Sequence, residues 1–500
     1  MFILIITLLF LLLAKKNLPW ACFLLIASLP SYLLRIKLFG IPTTMLEIMI
    51  LITFTLWLWQ ETEFKQIFKI KKNSSLKNHL KKNWQDYLEK RQKRTPYPYR
   101  HELIALLIIS YIAMIIGGTT QAGLGIWKAY FFEPTLLYIL ILNIFGKYPT
   151  LTFRNIIIKN PLVTSLTISA LLVSIFAIYQ KITGHFIAND FWAQAQTRRV
   201  TSFFPYPNAL GLYLGPIIII LISELRQNID KNFRKILKTK NLFLITTICT
   251  SIAAIYFAKS EGALISVLAA LIIFGILDNA FRKFTIAGLI ICSILIFTNP
   301  QSKDYFREKI TLRDLSGEIR KQQWRETMTM MRAEKRLIWG TGLANYQKLI
   351  APYHQEGIFF NRDRDGDFRR KIVLFNEEYK SKYWQPTEIY LYPHNIFLNF
   401  WTELGIFGAL LFIWIIGKFI FLNLSYFLDF DKKNTQEIPE QNIAKPKDSI
   451  QNQKYIFIGL ACAMITITIH GLVDVPYFKN DLACLFWIII AMGQIRILRK

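Results

Sequence analysis

The stretch LGIFGALLFIWIIGKFIF, Leu404–Phe421, is apolar along almost its whole length. About 20 helical residues cross the ~30 Å hydrocarbon core of a bilayer, so a run of this size reads as a membrane span. Runs of the same character lie at Phe2–Ala14, Leu162–Tyr179 and Leu242–Ala258. Working outward from them, apolar segments centre on 1–14, 18–34, 42–59, 102–117, 124–145, 161–180, 203–222, 242–258, 262–278, 284–298, 403–424, 455–472 and 481–497. The first could pass for a signal-peptide core. It lacks a basic leader and a small-x-small cleavage site, so it is expected to be a short first span. The expected fold is therefore all-α, a polytopic transmembrane bundle of twelve or thirteen spans.

Composition agrees. Hydrophobic residues make up 53% of the 500, and mean hydropathy is only +0.32 because a few long polar segments dilute the apolar ones. The net charge is +27. On a soluble chain that would point to nucleic acid; on a membrane chain Lys and Arg collect in cytoplasmic loops, and no nucleic-acid partner is expected. No Rossmann fingerprint, P-loop or zinc-ligand spacing occurs. The five cysteines, Cys22, Cys249, Cys292, Cys462 and Cys484, all fall in apolar runs and read as small buried residues with no disulfide framework.

The loops set an orientation. Segment 60–101 carries twelve Lys/Arg against four acids, and 224–240 carries six against two. With thirteen spans, these segments, the 147–159 patch, Arg282-Lys283 and the tail from Arg496 fall on one side, which the positive-inside rule makes the cytoplasm. Arg35 and Lys37 are a small exception. Segment 60–101 interleaves Phe64, Ile67, Phe68 and Ile70 with lysines; it reads either as an amphipathic helix on anionic headgroups or as a solvated basic loop. The chain thus divides into N-terminal transmembrane helices (1–59), a basic cytoplasmic loop (60–101), a transmembrane core (102–298), a large extracytoplasmic loop between late spans (299–402) and C-terminal transmembrane helices (403–500) with a cytoplasmic connector at 429–453.

Candidate chemistry lies on the extracytoplasmic side. Pro393-His394-Asn395 stands where the polar segment enters a span, nine residues before Gly405-Ile406-Phe407-Gly408. Gly405 and Ala409 are four apart, with Gly408 near the same face; small residues at that spacing let helices approach closely, and an interfacial histidine above a packed helix is the plain alternative to a functional one. Arg198 and Arg199 precede Pro207-Asn208. Two arginines on that side run against the charge bias; they suit phosphate recognition or interfacial snorkelling. Arg320 and Trp324 lie on an expected amphipathic helix over 318–334, before Gly340-Thr341-Gly342. The run Arg362 to Arg370 alternates sign; oxygen ligands at alternate positions suit calcium, but the interspersed arginines favour a self-neutralising turn, and no metal is expected. Glu47, Lys128, Glu133, His470 and Asp474 are ionisable residues in or beside spans, where hydrogen bonding between helices is the default and function the alternative; Lys128 and Glu133, five apart, do not share a face cleanly, whereas His470 and Asp474, four apart, can share one.

Together these patterns resemble the O-antigen ligase and polymerase family of membrane glycan transferases, over roughly residues 100–497. That family carries a histidine followed by Asn, Ser or Gln, a nine-residue gap and Gly-x-x-Gly, which His394, Asn395, Gly405 and Gly408 match. Its arginine before Pro-Asn is similar to Arg199, Pro207 and Asn208, with Arg198 the possible substitute. Its arginine, tryptophan and Gly-x-Gly turn resemble Arg320, Trp324, Gly340 and Gly342. Ser260-Glu261-Gly262-Ala263 looks like the family's Ser-Arg-Gly-Ala with Glu261 a departure, and His470 to Asp474 resembles another recurrent segment.

The resemblance implies a transferase of the inner, cytoplasmic membrane, working on its extracytoplasmic face without cofactor or metal. Its donor would be a glycan on a polyprenyl diphosphate, and its acceptor a hydroxyl of a glycolipid, glycan or protein. Arg199 and Arg320, or Arg198, would hold the diphosphate. His394 would take the acceptor proton, in a single displacement that inverts the anomeric centre. Ligation, repeat-unit polymerisation and protein O-glycosylation share that logic. A transporter or flippase of lipid-linked glycans is the alternative of another class, favouring inverted repeats and broken helices.

Overall fold

The structure, a computed structural model, describes residues 2–38, 41–61, 98–153, 156–229, 236–374, 377–435 and 454–498. The basic 60–101 segment and the 429–453 connector fall mostly outside the described residues. The rest is a helical bundle in which the only sheets among the described residues are three two-stranded antiparallel pairs.

A helix stands at each expected apolar run. In chain order they are α1 (Phe2–Lys16), α2 (Leu18–Ala27), α3 (Met45–Glu61), α4 (Arg100–Ile116), α5 (Gln121–Lys147), α6 (Pro161–Thr183), α7 (Pro207–Ile229), α8 (Thr239–Phe257), α9 (Glu261–Leu277) and α10 (Arg282–Thr298). After the polar segment, which contains α11 (Pro300–Ile310) and α12 (Leu315–Ala333), come α13 (Ile396–Thr435), α14 (Lys454–His470) and α15 (Asn480–Leu498). Six of them, α5, α6, α7, α8, α13 and α15, are long and apolar enough to cross a bilayer alone. Others are shorter: α2 has ten residues before a 3-10 turn at Leu29–Leu33, and at 1.5 Å per residue it rises only about 15 Å. Between α10 and the α11–α12 stretch the chain bends by 106°. The polar segment thereby leaves the bundle axis instead of continuing it.

The core is built from helices apolar all round, as expected of elements surrounded by other helices. Both α7 and α15 are buried along most of their length, and α14 packs on α7, α9 and α13. Charges inside the bundle are paired: Lys128 Nζ lies 2.8 Å from Glu47 Oε1, and Lys418 Nζ 2.5 Å from Glu102 Oε1. Glu133 turns from Lys128, five residues away, and accepts instead from Asn480 Nδ2 at 2.9 Å. Cys22, Cys462 and Cys484 are buried as expected, but Cys249 and Cys292 are exposed on the outside of the bundle. A helix face turned to lipid carries the same hydropathy as one turned to the core, so composition does not separate them.

The loops gather at two ends. At one, Arg226 pairs with Asp278 (2.6 Å) and Glu224 accepts from Asn160 and Lys240. At the other, the loops after α6, α8 and α14 meet the polar segment through Arg199–Ala258 and Asn395–Leu472 contacts. All the candidate motif residues lie at this second end.

Candidate active site

Arg199 sits on a loop that cannot swing freely. Gln180 on α6 clamps it, its Oε1 accepting from the Thr201 and Ser202 N–H groups at 2.9 and 2.7 Å, while Val200 N donates to Phe257 O. The Arg199 guanidinium then donates to Ala258 O (2.9 Å) at the end of α8 and to Asn208 Oδ1 (3.3 Å) at the start of α7. Its neighbour Arg198 points elsewhere. It donates to Lys181 O and Ala193 O at 2.9 and 3.2 Å, capping the C-terminus of α6 beside Gly184. Of the two arginines only Arg199 joins the cluster below.

Asn208 passes the contact on. Its Nδ2 donates to Asp474 Oδ2 at 3.2 Å, and Asp474 Oδ1 lies 3.6 Å from His394 Nδ1. Arg199, Asn208, Asp474 and His394 therefore form one continuous polar chain across four separate segments. Asp474 is 2% exposed at the side chain, His394 23%. Burial alone would raise the Asp474 carboxyl pKa. The His394 imidazole, the nearby His470 and the Val475 N–H outweigh burial and hold that carboxyl well below the usual range. A buried anion thus faces the histidine ring from below, and Nε2 makes no hydrogen bond with a described residue.

The backbone at His394 has φ +42°, a region a branched or bulky L-residue occupies only when its surroundings dictate it. They do. Trp324 Nε1 donates to Pro393 O at 2.7 Å and Gln323 Nε2 to Tyr392 O at 2.8 Å, fastening the residues before it to α12. On the other side Ile396 N donates to Gly471 O (2.7 Å) and Asn395 Nδ2 to Leu472 O (3.0 Å). Asn395 Oδ1 also caps α13 by accepting from Leu398 N. Tyr390 and Tyr392 stand edge-on to the imidazole, with ring centres at 4.9 and 5.9 Å.

Arg320 reaches the cluster from α12, whose start is capped by Asp314. One Arg320 N–H donates to Ser316 Oγ at 2.7 Å, its Nε is buried without a partner among the described residues, and its charge acts on Tyr390 and His470. Glu261, where the family pattern has arginine, opens α9 with its charge acting on Arg199. Lys309 Nζ lies 2.6 Å from Glu261 Oε2 and 3.0 Å from Asp314 Oδ2. A lysine from the polar segment thus neutralises the departure.

The glycines have a different use from the close helix packing expected of them. Gly405 has φ +75° and breaks α13. Into that break fits the 338–342 turn: Ile406 N donates to Ile338 O (3.0 Å) and Thr341 N to Thr402 O (2.6 Å). A Cβ on Gly340 would stand 2.5 Å from Thr402 O, and one on Gly342 would strike the backbone of Gly117. A Cβ on Gly408 would meet the Leu404 side chain of its own helix.

Residues 246–413 match the family described as O-antigen ligase. Over that stretch, about a third of its length, the chain is similar to the O-antigen ligase family. The matched stretch holds His394, Arg320, Trp324 and the interlocked glycines, while Arg199, Asn208 and Asp474 lie outside it. No curated protein matches the chain. The apolar helices support a multi-pass membrane protein, and the match makes residues 246–413 similar to the O-antigen ligase kind of membrane glycan transferase.

Asp474 is the site residue that sequence reasoning left as a structural default. Its signal was the four-residue spacing from His470, which pointed to the wrong histidine. The charges of the Arg362–Arg370 run are met from outside it and not, as expected, within it: Asp365 accepts from Lys371 and Tyr379, Asp363 from Lys382 and Tyr383, and Arg364 pairs with Glu308. No cluster of metal-ligating side chains occurs among the described residues.

Proposed function

We propose that the chain transfers a glycan from a polyprenyl-diphosphate carrier to an acceptor hydroxyl at the extracytoplasmic face of the bacterial-type inner membrane. The observation that carries this reading is the run of polar contacts from Arg199 through Asn208 and Asp474 to His394, hydrogen-bonded as far as Asp474 and closing on His394 at 3.6 Å. It sets a cationic clamp beside a histidine backed by a buried carboxylate.

In the proposed reaction, Asp474 orients the imidazole so that Nε2 faces the acceptor, as in other carboxylate-backed histidines. Nε2 takes the hydroxyl proton as the acceptor oxygen attacks the anomeric carbon. The bond from that carbon to the diphosphate oxygen breaks, and its electron pair leaves with the diphosphate. Arg199 and Arg320 hold the charge that develops there. One displacement inverts the centre, and the arginines occupy the place a metal would otherwise take. The excess of Lys and Arg in the segments at the opposite end of the bundle supports the extracytoplasmic placement.

The test is turnover by the purified chain, in lipid, of a polyprenyl-diphosphate glycan with candidate acceptors. Transfer lost in His394→Ala supports the assignment. Transfer that survives the substitution unchanged rejects it, and the product identifies ligase, polymerase or protein transferase.

A further inference from the structure

A second cleft lies on the far side of α12 from His394. Arg320, Gln323, Trp324 and Thr327 occupy one face of that helix, and Glu318, Gln322 and Arg325 occupy the opposite one, as the i, i+4, i+7 spacing requires. The second face forms a wall of an open cleft of about 750 Å³, completed by α11, by Arg313 and by residues 358–368. That volume is in the range of ligand sites and exceeds what one phosphate fills.

Its charges do not balance. Three carboxylates line it, and each is engaged: Glu308 and Asp304 with Arg364 at 2.6 and 3.8 Å, and Glu318 with Lys321 at 2.6 Å. Arg307, Arg313 and Arg325 line the same cleft with no carboxylate within ion-pair distance among the described residues. Phe359, Phe360 and Phe368 line it as well, and aromatic rings offer apolar surface to the C–H side of a sugar ring. Phe359 is held by Trp384 and Phe368 by Tyr379 and Tyr383, so these rings are fixed. Three unmatched guanidinium forks suit carboxylate or phosphate oxygens.

We infer that this cleft binds an acidic glycan, sugars bearing carboxylate or phosphate groups, and holds it one helix width from His394. The inference rests on the transferase reading for its role but not for the binding itself. It gives the chain a substrate class, a negatively charged saccharide whose remote sugars anchor in the arginine cleft while the reacting end reaches the histidine. Remote binding of that kind positions the reacting group.

The test uses the full chain in nanodiscs of zwitterionic lipid, with hexagalacturonate and maltohexaose as probes. Hexagalacturonate is expected to bind at least about tenfold more tightly than maltohexaose, with the difference shrinking at high salt. The combined Arg307→Gln, Arg313→Gln and Arg325→Gln variant should lose that preference, each single variant a part of it, and His394→Ala should keep it. Equal affinity for the two probes, or a preference unchanged in the triple variant, overturns the inference. So does loss of hexagalacturonate binding in nanodiscs of anionic lipid at matched ionic strength, which would mean that lipid headgroups own the cleft. If transfer fails while acidic-glycan binding persists, the transferase reading falls and the cleft stands.

Discussion

His394 Nδ1 lies 3.6 Å from Asp474 Oδ1, across 80 residues of chain and just beyond hydrogen-bond length. Catalytic contacts are often long in the unliganded state and tighten with substrate. Replacing Asp474 by Asn keeps the shape and removes the charge. Turnover should fall by on the order of 10²-fold or more, with the donor KM little changed. The double variant with His394→Ala should be no worse than His394→Ala alone, because the two act as a unit. Additive losses in steady-state kinetics would separate them.

The same carboxylate makes stability depend on pH in a defined direction. Asp474 is held below its unfolded value despite its burial. Its contribution is therefore complete above the ordinary carboxylate range and is lost only as pH falls through the depressed folded value. Thermal unfolding of the native chain and of Asp474→Asn should differ by a constant amount from neutral pH down to about 5, and converge only in stronger acid. A gap that closes between pH 7 and 6 would contradict the assignment.

Arg198 and Arg199 are adjacent in sequence and divided in task. Arg199→Ala should lower turnover by about 10²- to 10³-fold, the usual loss when a donor to developing charge is removed. Arg198→Ala uncaps α6 and should instead cost about 1–3 kcal/mol of stability, leaving turnover per folded molecule near the native value. Turnover and unfolding measured on both variants check the division; a reversed pattern would reassign the guanidinium.

These residues also mark what a linear reading can reach. The helices were legible because a bilayer demands about 20 apolar residues per crossing, a signal written along the chain. His394, Arg199 and Arg320 were legible as motif members. The His394–Asp474 contact was not, since nothing local ties positions so far apart, and Asp474's spacing suggested His470. Gly405 and Ala409, with Gly408 near the same face, were read as helix-packing residues because small residues four apart usually are. Only the left-handed φ at Gly405 reveals a helix break, and φ is not visible in composition.

Lys309 and Glu261 form an exchange of charge that can be undone in two steps. Lys309→Ala leaves Glu261 unopposed near Arg199. Both side chains are partly exposed, so the effect is modest: a donor KM raised roughly two- to fivefold. Adding Glu261→Gln to that variant should restore KM by removing the stray anion. A KM unaffected by either change would show that the pair does not touch the donor site.

Gly405 and Gly340 lock the polar segment into α13, each at a positive φ: a Cβ on Gly340 would meet the Thr402 and Gly405 backbone, and one on Gly405 the backbone of Ile338 and Trp339. Gly405→Ala places a methyl group against Ile338 O and strains the backbone at φ +75°. The strain alone costs about 1–3 kcal/mol, and the clash pushes the 338–342 turn out of the break. Trp324 and Gln323, which position His394, lie on the helix leading into that turn. Unfolding in detergent should therefore occur at lower temperature, and turnover should fall with it. Gly340→Ala should do the same from the other side of the contact. The paired variant should lose less than the two losses summed, because the first methyl has already opened the joint. A native melting temperature in Gly405→Ala would mean that the turn does not sit in the helix break.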